Sequence, residues 1–178
     1  MRKYYDLNNE KKIAFFIGVS EKSITYLRNE HQVELARNAI ECCWEWFINR
    51  KYDGEFLYEL LDNEENGITI ISDMVDDAAE SAIWNCLIDT VAFVSRQAYD
   101  EEGNKYYPEP ISLVDDNLAE HLLKCYYTVF PYCEFIDMLL DFLLSVDTYN
   151  FLEWKNRISK AIPHKDCAAD TPANFSAD

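Results

Sequence analysis

One stretch of the chain decides its fold class. Val75, Ala79, Ala82, Ile83, Cys86, Leu87, Thr90, Val91, Val94 and Ala98 recur at three- and four-residue steps. At that spacing, side chains fall on one face of an α-helix. A helix with a continuous apolar face must be covered along that face by other elements. Small residues dominate the first half of this face, so a neighbouring helix can approach closely there. The chain has few residues for any other architecture. Four glycines and five prolines in 178 residues cannot supply the tight turns of an all-β fold, whereas helices joined by a few loops need little of either. A hydrophobic share of 49% is enough for a core and rules out disorder for the bulk of the chain.

The flanking segments supply the covering helices. Lys11 to Leu27 carries a helical pattern with an expected break near Gly18–Ser20. Glu30 to Asn49 is clearer, with Val33, Ala36, Ala39, Ile40, Cys43, Trp44 and Phe47 at helical steps. Asp53-Gly54 reads as a turn and N-cap for a short helix over Glu55–Leu61. A loop follows at Asn63–Gly67, and Ile68–Ile71 is either extended or a lead-in to the next helix. Ser72 is the expected cap of the long helix, with Asp73, Asp76 and Asp77 in its first turns, where the helix dipole favours anions.

Asp100 to Val114 is the main internal loop. Asp115 or Asp116 is expected to cap a helix running to Phe130, and Pro131 to open the next one. The body of that helix, Phe135–Val146, is apolar nearly all round apart from Glu134, Asp137, Asp141 and Ser145, which predicts a central position. Thr148 is expected to cap a last helix that ends near Ile162, before Pro163. The expectation is an all-α, single-domain bundle of about six to eight helices over residues 1–162, with a flexible tail over 163–178.

The motifs of catalysis and cofactor binding are missing. No glycine-rich phosphate cradle occurs. The residues three before His31, His121 and His164 are Arg28, Leu118 and Ala161, so the Glu-x-x-His pairs of a di-metal bundle are absent. The cysteines and histidines are never spaced as zinc ligands. His121 and Cys125, at i and i+4, form the one local Cys–His pair. Six cysteines without a C-x-x-C motif fit a reducing compartment, where a buried thiol packs as a small hydrophobe. No stretch reaches the roughly 20 apolar residues that span a bilayer, and the N-terminus shows no signal-peptide pattern. The expectation is a cytoplasmic protein without cofactor, metal ligands or catalytic residues.

The arrangement of charge is the distinctive feature. The formal net charge is −17, from 16 basic and 33 acidic residues. Residues 52–154 hold 23 of the acids and only three bases, Arg96, Lys105 and Lys124, while both ends of the chain are nearly balanced. From Asp53 to Ser95 there are eleven carboxylates and no Lys or Arg. Such a balance excludes nucleic acid, which is bound by neutralising phosphates, and an anionic membrane surface. No D-x-[DN]-x-[DN]-G loop is present to gather the acids around a cation. Two readings remain for the acidity: plain solvation, or a surface complementary to a strongly basic protein. Trp84, one turn from Glu80, and the tyrosines at 106 and 107 beside the acidic run at 100–102 add aromatic anchors of the kind found at interface centres.

Three segments carry a family resemblance: KKIAFFIGVSEKSI, then ECCWEWF, then DMVDDAAESAIWNCLID. Together they resemble the all-helical acidic immunity proteins of bacterial polymorphic-toxin and contact-dependent growth inhibition systems. They are also similar to a related helical family in which an "AF" helix, a "WE" helix and an Asp/Ala-rich helix follow one another. The resemblance spans roughly residues 10–130. It implies that Ala14-Phe15 belong to the first-helix core, Trp44-Glu45 to the second helix, and Asp76, Asp77 and Ala78 to Ala82 to a small-residue packing helix. It further implies a cytosolic protein that binds a cognate basic toxin domain, commonly a nuclease, and blocks its active site. The expected contact residues are Asp62, Glu64, Glu65, Asp76, Asp77, Glu80, Trp84, Asp100, Glu101, Glu102, Tyr106 and Tyr107. The alternatives are a helical-bundle hydrolase or metal-dependent enzyme, and an acidic housekeeping adaptor.

Overall fold

Helix α6 (Ala78–Glu101) is the axis of the molecule in a computed structural model that describes residues 2–63, 67–147 and 149–162. Six helices pack against it: α2 (Asn9–Ile24), α3 (Glu30–Asn49), α4 (Gly54–Asp62), α5 (Ile68–Asp73), α7 (Glu109–Ser112) and α8 (Leu118–Val129). Further out, α9 (Phe135–Ser145) lies on α2, and α10 (Phe151–Ala161) lies on α2 and α3. A short α1 (Arg2–Tyr5) precedes them. The all-α expectation holds for the described residues. Ten helices among the described residues replace the six to eight expected because α1, α5 and α7, of four, six and four residues, are too short to show a periodic stripe.

The axial position of α6 follows from its burial. Ile83, Cys86, Leu87, Val91 and Val94 are wholly excluded from solvent, and each large aliphatic side chain so buried favours the fold by roughly 1.5–3 kcal/mol. A polar clasp fixes α2 on this helix. Ser20 Oγ donates to the Cys86 carbonyl at 2.9 Å and lies 2.7 Å from Thr90 Oγ1, which in turn donates to the Phe16 carbonyl at 3.0 Å. Helix α2 runs unbroken through Gly18. A Cβ there would lie 3.1 Å from Ile158 and 3.2 Å from Leu139, so the glycine serves the close approach of α9 and α10 rather than a break.

Side-chain caps define most of the longer helices. Asn8, Asn29, Asp53, Asp77 and Asn150 each accept a main-chain N–H in the first turn of their helix, a contribution of about 1 kcal/mol apiece. Ser72 is not the cap of the long helix, because Ile68–Asp73 winds into α5 instead of extending. Thr69 Oγ1 donates to the Leu61 carbonyl at 2.6 Å and buried Ile68 anchors the turn. Val75 and Asp76 therefore fall in the link, and Asp77 opens α6. At α8, neither Asp115 nor Asp116 is the cap. The cap position is Asn117, whose N–H donates to Asp115 Oδ1 at 2.8 Å in the preceding turn.

Other boundaries also differ. Pro131 lies in the turn between α8 and α9, so the new helix opens at Phe135. That helix is peripheral rather than central: Phe135, Ile136, Leu139, Leu140 and Leu143 are buried, while Met138 and Leu144 face solvent. With α6 already at the centre, a second all-round apolar helix has only α2 and its neighbours to cover it. Thr148 and the tail over 163–178 lie outside the described residues. Among the described residues Cys42, Cys43, Cys86 and Cys125 are free and buried, and Cys133 is half-buried. No described helix is long and apolar enough to cross a membrane.

Candidate partner-binding surface

Helix α4 is seated on the C-terminal half of α6 by its first residue. The Gly54 N–H donates to Glu102 Oε1 at 2.8 Å, and Ser95 Oγ donates to the Gly54 carbonyl at 2.9 Å. A Cβ at this glycine would come within 2.7–3.0 Å of Tyr99, so no other residue permits this approach. Seating Leu57 and Leu61 in the core turns Glu55, Phe56, Glu59 and Asp62 outward. Glu55 and Glu59 stand one turn apart and make no hydrogen bond or ion pair among the described residues.

A neighbouring phenol reports how tightly these acids gather. Tyr99 is pushed up from its ordinary value first by burial, then by the charges of Glu55, Glu102, Asp53 and Glu59. Phe56 lies at the edge of this group, its ring stacked on Tyr52 at 4.2 Å. Farther along the chain, Asp73, Asp76 and Asp77 are exposed at the end of α5 and the start of α6. Residues 53–95 thus place an uninterrupted acidic sequence on α4, α5 and the start of α6.

The expected contact residues have varied surroundings. Asp62 is exposed and accepts the Tyr58 hydroxyl at 2.6 Å. Asp77 is the α6 cap, and Glu80 accepts Gln32 Nε2 at 2.5 Å, tying α3 to α6. Glu64 and Glu65 lie outside the described residues. Tyr106 is 90% exposed. Tyr107 is half-buried beneath the Arg96 guanidinium, and its hydroxyl donates to Asp100. The run at 100–102 is exposed but engaged. Asp100 accepts from Arg96 and Tyr107, Glu101 from Arg50, and Glu102 from Gly54 and Asn104. Trp84 is a correction, since at 0% exposure it packs in the core and offers nothing to a partner. Helix α6 is covered on several sides, so the flank of its stripe is interior too.

A cleft of about 390 Å³ opens where α3 ends and α6 ends, between Trp46, Arg50, Tyr52, Asp53, Glu101 and Glu102. Arg50 holds it together. It ends α3 in the left-handed region, at φ 53°. Its guanidinium lies 4.5 Å from the Trp46 ring centroid, pairs with both Glu101 oxygens at 2.6 and 2.7 Å, and donates to the Trp46 and Phe47 carbonyls.

The nearest thing to a catalytic array is a chain from α6 to α8. Asp89, 5% exposed, lies 2.7 Å from His121 Nδ1, and His121 Nε2 lies 3.7 Å from Cys125 Sγ. Burial pushes the Asp89 carboxyl up to about 6, against the hydrogen bond and charge of His121. Burial, with the Asp89 charge, also pushes the Cys125 thiol up to about 11. A reactive cysteine needs the opposite shift, so this array reads as a clasp between two helices. No group of three or more metal-ligating side chains is placed to hold an ion among the described residues.

Several of these residues were within reach of the sequence. Glu55 and Glu59, at i and i+4 opposite the apolar Leu57 and Leu61, are legible as an outward acidic pair. Asp89 interrupts the apolar run Leu87–Val91, a sign of a buried, partnered carboxylate. Nothing in the spacing indicates that Arg50 reaches Glu101.

The family model for the immunity protein Imm6 matches residues 11–129, from the first turns of α2 to the last residue of α8. Helices α1, α9 and α10 lie outside that match. No curated protein and no solved structure matches the chain.

Proposed function

We propose, from the premise that this chain belongs to the Imm6 family of immunity proteins, that it neutralises a basic toxin domain through the acidic flank of α4, α5 and the start of α6. An immunity protein acts against a toxin by binding it; the face used and the class of toxin are our reading. The observation that carries it is the absence of any Lys or Arg from 53 to 95, combined with Glu55 and Glu59 on the outer face of α4, which pair with no cation among the described residues. Carboxylates left without intramolecular cations repel one another, and a positive partner relieves that repulsion.

On this reading the flank attracts the toxin over distance and speeds encounter at low salt. A toxin surface built to hold phosphates, as in a nuclease, presents the required positive charge. The carboxylates then occupy the positions of substrate phosphates, and the stacked Tyr52–Phe56 pair supplies apolar contact for arginine or lysine stems. Asp62 on α4 and Asp76 and Asp77 at the start of α6 are further exposed acids for the same partner.

The test is a charge reversal where folding does not depend on the charge. Glu55→Lys with Glu59→Lys should slow association with the cognate toxin about tenfold at low ionic strength and flatten its salt dependence. Two charges about 7 Å apart in water interact by roughly 0.6 kcal/mol, and two reversals change several such terms. Thermal unfolding should change little, because relief of the repulsion among these acids offsets the loss of an anion from the first turn of α4. Association rates equal to wild type, both in this variant and in the paired reversal of the exposed Asp73 and Asp76, would reject the flank as the toxin contact. Binding insensitive to salt would favour an adaptor whose acidity is only solvation.

A further inference from the structure

Between α2, α3 and α10 lies an open cavity of about 520 Å³, in the size range of pockets that take a ligand or an anchoring side chain. Glu21 stands in its wall. Its Oε1 accepts the Trp44 indole N–H at 3.0 Å, and the Ser159 hydroxyl lies 3.3 and 3.2 Å from its two oxygens. Both donors are neutral. Trp44 is fully buried, so the carboxylate is held from behind by a ring that cannot move aside. No cation pairs with Glu21 among the described residues. Lys155, which acts on it at longer range, is bonded to Glu41 at 2.5 Å. Burial, helped by the charge of Glu41 in the same lining, raises the Glu21 carboxyl above its ordinary range, outweighing the two donors and Lys155. The site is therefore a largely desolvated carboxylate with no cation bonded to it among the described residues, facing an open cavity.

We propose that this cavity receives the guanidinium or ammonium head of one basic side chain from the protein partner, with Glu21 as its counter-ion. The walls fit that occupant. Ile24, Ile40 and Ile162 offer apolar surface to the methylene stem of an arginine or lysine, while the head reaches the carboxylate. A charged pair formed in such a partly desolvated pocket is the kind of contact that dominates interface energetics. Arg37, also in the lining and exposed, disfavours a second cation and favours a neutral or acidic residue next to the inserted one. The inference rests on the reading of the partner as a basic protein. It adds a specific anchor to the diffuse attraction of the α4–α5 flank.

Trp44 provides a direct readout, because its indole N–H is bonded to the group in question. The full-length protein, without toxin, is titrated with N-acetyl-arginine methylamide and with the uncharged citrulline analogue while the Trp44 indole resonance is followed by NMR. The arginine derivative should shift that resonance saturably and at least ten times more tightly than the citrulline one. Glu21→Gln should abolish the difference and leave the rest of the spectrum unchanged. As a measurement that needs no variant, the pH titration of the wild-type Trp44 resonance should move to lower pH in the presence of the arginine derivative, since a bound cation favours the carboxylate. No shift, an equal shift with citrulline, a preference that survives Glu21→Gln, or an unmoved pH titration would each overturn the proposal. With no toxin present, failure here rejects the pocket alone, and the flank answers to its own kinetic test.

Discussion

Arg50 is the residue whose replacement tests the cleft architecture most directly. It is the one non-glycine residue at positive φ among those described, a conformation that disfavours an L-residue by roughly 1–2 kcal/mol. The side chain offsets that strain. Its ion pair with Glu101 is about half-exposed and contributes up to about 1 kcal/mol. The stacking on Trp46 adds about 0.5–1 kcal/mol, and the bonds to the Trp46 and Phe47 carbonyls about 1 kcal/mol each. Arg50→Ala keeps the strain and loses these contacts, so it should destabilise the fold by about 3 kcal/mol. In a chain of this size that lowers Tm by roughly 6–12 °C. Arg50→Gly loses the same contacts and relieves the strain, but glycine gains freedom in the unfolded chain. It should fall between wild type and Arg50→Ala, about 1 kcal/mol more stable than the alanine variant. Thermal and urea unfolding of the three proteins measures the order. A glycine variant as stable as wild type would show that the guanidinium contributes less than the strain, and a glycine variant less stable than the alanine one would show that the strain is smaller than the unfolded-state cost of glycine.

Four further variants have definite expected outcomes. Gly54→Ala drives a methyl group into Tyr99 and should lower stability by about 1–3 kcal/mol, read as a lower urea midpoint with altered tyrosine absorbance. Asp77→Ala removes the α6 cap and should lower stability by about 1 kcal/mol, whereas Tyr106→Ala, at an exposed side chain, should stay within about 0.5 kcal/mol of wild type. Asp89→Asn tests the buried carboxyl. Because its folded value is raised to about 6, the folded state holds its proton longer than the unfolded chain, and its contribution to stability is lost as pH rises from about 4 through 6. The asparagine variant should therefore gain on wild type in Tm between pH 4 and pH 7.5; a difference constant with pH would contradict the assignment.

Periodicity alone determined the class of the fold and the bounds of its clearest helix. The pattern from Glu30 to Asn49 matches α3 residue for residue, and Asp53 caps α4 as its position before a short apolar pattern implied. Both depend only on contacts within one or two turns, and such contacts are written in local spacing. The concentration of acid between 53 and 95 is likewise a property of the chain before it folds. Tertiary structure decided what local spacing does not contain: which of two strongly apolar helices is the axis, that Trp84 is interior, and that Gly18 marks a crossing rather than a break. It also decided how each acid is used. Glu101 meets Arg50 across 51 residues, Asp89 meets His121 across 32, and Glu21 meets Ser159 across 138, whereas Glu55 and Glu59 meet no cation among the described residues. A carboxylate's identity is local, but the partners of Glu101, Asp89 and Glu21 come from distant parts of the chain, and only packing brings them together.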